Sequence, residues 1–320
     1  MNPALFASVV ICAYTQARWD DLVASVGSAL DQPGTSEVIV VIDHEKDLLR
    51  RAQGEWQDSR VRVIANRFRQ GLSGARNTGV AAATSEIVAF LDDDAAASPG
   101  WLDGLLGCFD APEVVGAGGT AFPVWPAGEA PASLPPELLW VVGCSYRGLP
   151  VERSDVRNVI GCSMAFRRRA LRDIGGFNPE TGRIGRIPLG GEETEVCIRL
   201  RQADPRSRVV FEPASAVRHR VTPDRTTWGY LSRRSFYEGV SKSALSKSLG
   251  AQDALSTELL YTRQVLPAGV VRELSHLRPA GAFAIVLSVA AVGAGYLYGG
   301  LHRRQRNRAA LVAPVESFIR

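Results

Sequence analysis

The chain has 320 residues, with 37 lysines and arginines against 33 aspartates and glutamates and a formal charge of +4. Its 46% hydrophobic and 22% charged residues are the composition of a globular protein and exclude wholesale disorder. The small positive excess gives no footprint for nucleic acid. The five cysteines form no CxxC pair, which argues against a disulfide framework or a Cys-built zinc site and favours a reducing compartment.

The first apolar run, SVVICAY (8–14), has no basic segment before it and reads as a strand, not a signal peptide. DDLVASVGSALDQ follows with helical spacing, stopped by Pro33 and Gly34. EVIVVIDH (37–44) is a second strand, a polar helix is expected around 45–56, and VRVIA (61–65) is a third strand. SGARNTGVAAATS reads as a helix, and EIVAFLDDD as a fourth strand that ends abruptly in acids. Buried strands alternating with helices predict an α/β fold whose mainly parallel central sheet is covered on both faces. In such sheets ligands bind beyond the carboxyl ends of the strands. Tyr14, Thr15, Asp43 and Asp92–Asp94 sit at those ends.

From about 120 to 157 the chain is rich in proline and tryptophan and reads as an irregular rim over the site, where Trp125 and Trp140 either stack on a ligand or pack the loop. A strand, turn and helix are expected in NVIGCSMAFRRRALRDIGGF, a helix in GGEETEVCIRLRQ and two short strands in RVVFEPASAVRHRV. Residues 226–278 read as polar, amphipathic helices. Pro279–Leu301 then carries no formal charge. As a helix it would be about 35 Å long, against a bilayer core of about 30 Å. Arg303, Arg304, Arg306 and Arg308 follow it, a flank suited to the cytoplasmic side of a membrane. A helix buried on the main domain is the alternative, and Gly295 and Gly299 offer a face for close contact.

Three adjacent carboxylates repel one another unless a cation is present. Strand alternation sends Asp92 and Asp94 to one side, where they suit Mg²⁺ or Mn²⁺. Just upstream, in RQGLSGARNTG (69–79), Gly71 and Gly74 permit a tight turn into a helix whose free amides attract an anion, and Arg76 adds a guanidinium. Together these elements suggest a nucleoside diphosphate held between metal and cation. Glu192 and Glu193, behind Gly190 and Gly191, are consistent with acids that favour a helix dipole. Arg218, Arg220, Arg225, Arg233 and Arg234 are candidates to face phosphate or anionic lipid.

In the order VVICAYT, VIVVIDHE, GLSGARNTG, AFLDDDA, GCSMAFRR, GGFNP and GGEETEVCIRL, over residues 8–220, the chain resembles a family 2 glycosyltransferase of the GT-A fold. The resemblance implies that Tyr14 and Asp43 contact the nucleoside, with Arg76 near the nucleotide. It makes Asp92 a ribose or metal contact, Asp94 the metal ligand and Asp93 the variable middle position. It offers Glu193 as catalytic base with Glu192 as the alternative, and His219 as a ligand of metal or diphosphate. It implies an inverting, metal-dependent transferase that uses a nucleotide sugar, UDP-linked by default, and a hydroxyl acceptor. The hydrophobic segment, and likeness to prokaryotic members that extend lipid-linked sugars, suggest a lipid-linked acceptor at the cytoplasmic face of the membrane; a soluble cytoplasmic enzyme is the fallback. The expected organisation is a GT-A domain at 1–225, a helical extension at 226–278, a membrane-associated segment at 279–301 and a basic tail at 302–320. Two other readings are a nucleotidyltransferase and a catalytically silent membrane protein that binds nucleotide sugars. A dinucleotide oxidoreductase is disfavoured, because no GxGxxG follows the first strand.

Overall fold

The computed structural model describes residues 5–181 and 190–310, with side chains described as far as Leu301 except that of Leu259. Its strands are β1 (Ala7–Ala13), β2 (Thr35–Ile42), β3 (Val61–Ala65), β4 (Ile87–Asp92), β5 (Ala95–Ala97), β6 (Val114–Val124), β7 (Ser154–Asp155), β8 (Ser163–Arg167) and β9 (Arg208–Arg220). They form one sheet in the order β3-β2-β1-β4-β8-β6-β9-β5, with β7 paired to β9. β1, β2, β3, β4, β6 and β9 run one way, and β5, β7 and β8 run against them. The sheet is therefore mainly parallel by strand direction, as the sequence pattern predicts, with antiparallel insertions.

Helices α1 (Trp19–Leu30), α2 (Lys46–Gln53), α3 (Leu72–Ala82), α4 (Trp101–Leu106), α5 (Arg168–Asp173) and α6 (Glu192–Ala203) cover both faces of the sheet. Val9 and Ile11 of β1 join one buried layer with Leu22 and Val26 of α1, while Val10 joins the other with Val80 of α3. A strand buried on both sides needs an unbroken apolar run, which is why β1, β2 and β4 read so clearly in the sequence. Each large aliphatic side chain buried this way contributes about 1.5–3 kcal/mol. α3 lies close on β1, because Gly79 faces Val10 where any Cβ would overlap the valine methyls.

Two local expectations fail. The sequence around 120 was read as already irregular, yet β6 continues to Val124, held by parallel pairing to β9. RVVFEPASAVRHRV forms one strand where two were expected. Its pairing to β6 jumps from Gly119↔Glu212 to Thr120↔Ala216, so the irregularity is a bulge within one strand.

The C-terminal helices are α7 (Trp228–Leu249), α8 (Leu266–Ser275) and α9 (Pro279–Ala310). A third apolar cluster joins them to the 3₁₀ turns of Pro136–Val142: Leu138 and Val142 meet Leu231, Leu266 and Ile285. Of the basic tail expected at 302–320, the backbone is described as far as Ala310, and the arginine side chains lie outside the described residues.

Candidate active site

The carboxyl ends of β1, β2 and β4 meet at one level, because Cys12 pairs with Asp92 and Ala13 with Ile42. A cleft of about 1960 Å³ opens there, lined in part by Tyr14, Asp43, Arg76, Asp92–Asp94, Glu192, Glu193 and His219. These residues are thus gathered into one space, although they come from separate elements, whereas Arg218 and Trp125 do not line it.

Asp92 ends β4 and Asp94 lies in the turn to β5. β5 pairs antiparallel with β9, placing Ala95 opposite His219, and the Arg220 amide donates to the Asp94 carbonyl at 2.8 Å. This register brings His219 Nε2 to 3.2 Å from Asp94 Oδ1. One ligand atom each from Asp92, Asp94 and His219 falls within a 4.8 Å span. Two carboxylate oxygens and an imidazole nitrogen form a donor set that Mn²⁺ or Mg²⁺ accepts. Asp94 Oδ2 is buried and accepts no hydrogen bond, with Arg18 Nη1 3.0 Å away and Arg225 Nη2 at 3.9 Å.

Burial opposes a charged His219, but the adjoining Asp94 carboxylate outweighs it and pushes the imidazole up to about 10. Burial likewise opposes a charged Asp94, yet His219, Arg18 and Arg225 hold its carboxyl well below the usual range. The other ring nitrogen of His219 lies 3.6 Å from the thiol of Cys144. Asp93 accepts from the same Arg18 nitrogen at 2.8 Å; burial, and then Asp94, still push its carboxyl up.

α3 starts behind Gly71, which adopts a positive φ of 129°. At the N-cap, Gly71 N donates to Asp43 Oδ2 at 2.9 Å while Asn66 donates to Oδ1 at 2.6 Å. Asp43 therefore fixes the loop that leads into α3 at the edge of the cleft. Tyr14 is 48% exposed, with the Arg18 guanidinium 5.6 Å from its ring.

Arg76 is buried at 2% exposure beside the paired rings of Phe90 and Phe177. It donates to Glu192 Oε1 at 3.2 Å and to the Gly161 carbonyl at 3.1 Å, and lies 3.5 Å from Asp92. Its fork thus connects an acid of the Asp92–Asp94–His219 cluster to an acid of α6. α6 opens behind Gly191, which has a left-handed φ of 97°. Glu192 faces Arg76, and its second oxygen is buried without a hydrogen-bond partner. Burial, and then the Glu192 charge, push Glu193 up to about 8.

Further charges line the cleft toward the C-terminal helices. Arg234 pairs with Glu238 at 2.8 Å, Lys242 joins Glu238 to Glu258, and Arg157 closes the chain on Glu258. Arg234 also lies 5.7 Å from the Trp140 ring centre. Sequence reasoning missed Arg18, Cys144, Arg157, Glu238, Lys242 and Glu258. Only Arg18 left a signal, its place just beyond the end of β1. Arg220, one of the candidate phosphate contacts, pairs instead with Asp21.

The model for glycosyl transferase family 2 matches residues 8–175, just over half of the chain. The chain is 33% identical over 302 residues to the glucosyl-dolichyl phosphate glucuronosyltransferase of Haloferax volcanii, covering 91% of this chain and 95% of that protein. It is 34% identical over 180 residues to the pre-mycofactocin glycosyltransferase of Mycobacterium tuberculosis, covering 56% of this chain and 36% of that one. Among solved structures, mannosyltransferase PcManGT from Pyrobaculum calidifontis, in complex with GDP-Man and Mn²⁺, superposes with a TM-score of 0.59 at 15% identity over 93% of this chain and 88% of that one. GalNAc-T7 with UDP, GalNAc and Mn²⁺ gives 0.54 at 15% identity over 88% and 59%. The fold is that of the GT-A glycosyltransferases, and the chain belongs to glycosyltransferase family 2. It is an enzyme of sugar transfer.

Proposed function

We propose that this glycosyltransferase moves a sugar from a nucleoside diphosphate sugar, UDP-linked by preference, to a hydroxyl of a lipid-linked acceptor at the cytoplasmic membrane face, with inversion at the anomeric carbon. The observation that carries the reading is the Asp92–Asp94–His219 cluster, set in the same cleft as the buried acid Glu193. A nucleoside diphosphate sugar is supported by the UDP in the GalNAc-T7 structure and the GDP-Man in the PcManGT structure, and the lipid-linked acceptor by the activity of the Haloferax relative.

In this reading Asp92, Asp94 and His219 hold Mg²⁺ or Mn²⁺. When bound, the ion neutralises the departing diphosphate as a Lewis acid. Cys144 beside the far ring nitrogen of His219 orients the imidazole toward the cluster. Arg18 and Arg225 add positive charge next to Asp94. Tyr14 and the Asp43-fixed loop bound the nucleoside side of the cleft. Glu193 takes the proton from the attacking acceptor hydroxyl. Its carboxyl, raised to about 8, is a stronger base than an ordinary glutamate once ionised. Glu192 stays paired to Arg76 and keeps Glu193 raised through its charge.

The test measures nucleoside diphosphate release and sugar transfer from UDP- and GDP-sugars to lipid-linked acceptors, for the native chain, Asp94→Ala and Glu193→Gln. Transfer retained in both variants sinks the residue roles. Release of pyrophosphate in place of a nucleoside diphosphate sinks glycosyl transfer in favour of nucleotidyl transfer.

A further inference from the structure

Helix α9 (Pro279–Ala310) sorts its residues by side. Phe283, Val286, Val289, Leu297, Tyr298 and Leu301 are all exposed, from 45% at Val289 to 68% at Leu297. Their intervals trace one helical stripe. The exposed positions between them, 290, 293 and 294, carry only alanine or glycine, so the stripe has no polar side chain except the hydroxyl of Tyr298.

The opposite side is joined to α7 (Trp228–Leu249). A Cβ on Gly295 would collide with the Phe236 carbonyl, and one on Gly239 with the Val292 carbonyl, so the two backbones touch. Ser235 and Ser288 share a buried hydrogen bond at 2.9 Å, and Lys247 donates to the carbonyls of Gly299 and Gly300 at 3.0 Å. The contacts advance together along both helices, which therefore lie side by side in parallel.

α7 cannot follow α9 through a bilayer, because it carries Arg233, Arg234, Glu238, Lys242 and Lys247. We infer that α9 lies in the plane of the membrane surface, with its apolar stripe sunk into one leaflet of anionic lipid, and does not cross. Trp228, stacked on Phe283 at 5.6 Å and 41% exposed, adds an aromatic side chain of the kind that settles at headgroup level. The four arginines following the stripe in the sequence complement anionic headgroups. A second copy of the chain is a poorer occupant, because Gly295 and Gly299, which could bring two such helices together, already face α7.

The orientation has a consequence for the site. Val289, Val292 and Tyr296 of α9 also line the catalytic cleft. The apolar end of the cleft thus opens at leaflet level, where the lipid of a membrane-held acceptor enters sideways, while the acidic cluster stays in water. The inference rests on the membrane reading above and is tested separately from it.

Full-length protein with a C-terminal epitope is floated with vesicles containing phosphatidylglycerol. The epitope is also probed with protease in membrane vesicles whose catalytic domain faces outward. Expected results are flotation of the native chain, removal of the epitope, and at least tenfold weaker flotation for the double variant Phe283→Glu/Leu297→Glu. A milder pair, Phe283→Ser/Leu297→Ser, serves if the glutamates disturb folding, judged by circular dichroism. Flotation with a protected epitope overturns the in-plane geometry and leaves membrane association standing. Failure of the native chain to float overturns the membrane reading itself. Undiminished flotation of a folded double variant, with a change of oligomeric state in light scattering, assigns the stripe to a second copy and also overturns the inference.

Discussion

At the strand-built end of the cleft, charges are held by backbone register; at the helix-built end, ionic pairs and apolar packing divide the two sides of a helix pair. Asp92 and Asp94 are placed by β4 and its turn, and His219 by the β5–β9 pairing. Strand pairing holds such positions in a set geometry, which is what positioning catalysis draws on. α7 instead turns Arg234, Glu238 and Lys242 toward the cleft and leaves α9 to present an apolar face outward. The first end can govern chemistry, and the second can govern where the chemistry happens.

Four changes break or sharpen that contrast. Asp94→Ala removes the acid shared by the cluster. Transfer is expected to fall by about 10⁴-fold, since several kcal/mol of charge stabilisation is lost, and a calorimetric titration with Mn²⁺ is expected to show no binding. Glu193→Gln should lower kcat by about 10²–10⁴-fold while leaving divalent-ion binding in place. In the native enzyme the base form of Glu193 grows as pH rises through about 8. The kcat–pH profile should therefore climb across that range, and the climb should vanish in Glu193→Gln. Gly295→Ala puts a Cβ against the Phe236 carbonyl. A stability loss of about 1–3 kcal/mol, read from denaturant midpoints, is expected, with kcat on soluble acceptors little changed. Cys144→Ala leaves the outer nitrogen of His219 without its thiol neighbour. About tenfold weaker Mn²⁺ affinity is expected, with an unchanged melting temperature.

The strand-built half was readable because its signals are local. The apolar runs of β1, β2 and β4 and the acids that end them lie within single elements. His219 is different. Its approach to Asp94 depends on a pairing between distant segments, and only the ordered motifs of the family pointed to it. Arg18 is close in sequence to β1, but an arginine carries no mark of the carboxylates it will meet. The Arg157–Glu258 and Lys242–Glu238 pairs join segments that no periodicity connects. In α9 the uncharged stretch at 279–301 was legible, and Gly295 and Gly299 marked a face for close contact, but hydrophobicity alone could not choose the inward side, since every position there is apolar or small. Which side faces α7 is decided by the glycines at 239 and 295, through backbone contact rather than hydrophobicity.

That glycine-mediated contact leaves no slack between α7 and α9. If α9 rests on a leaflet as inferred, the acidic cluster stands at one constant height above the lipid, and the molecule becomes a ruler. Acceptors whose sugar chain is one unit too short or too long would bring the wrong hydroxyl to the reaction plane, so chain length itself would be selected by geometry.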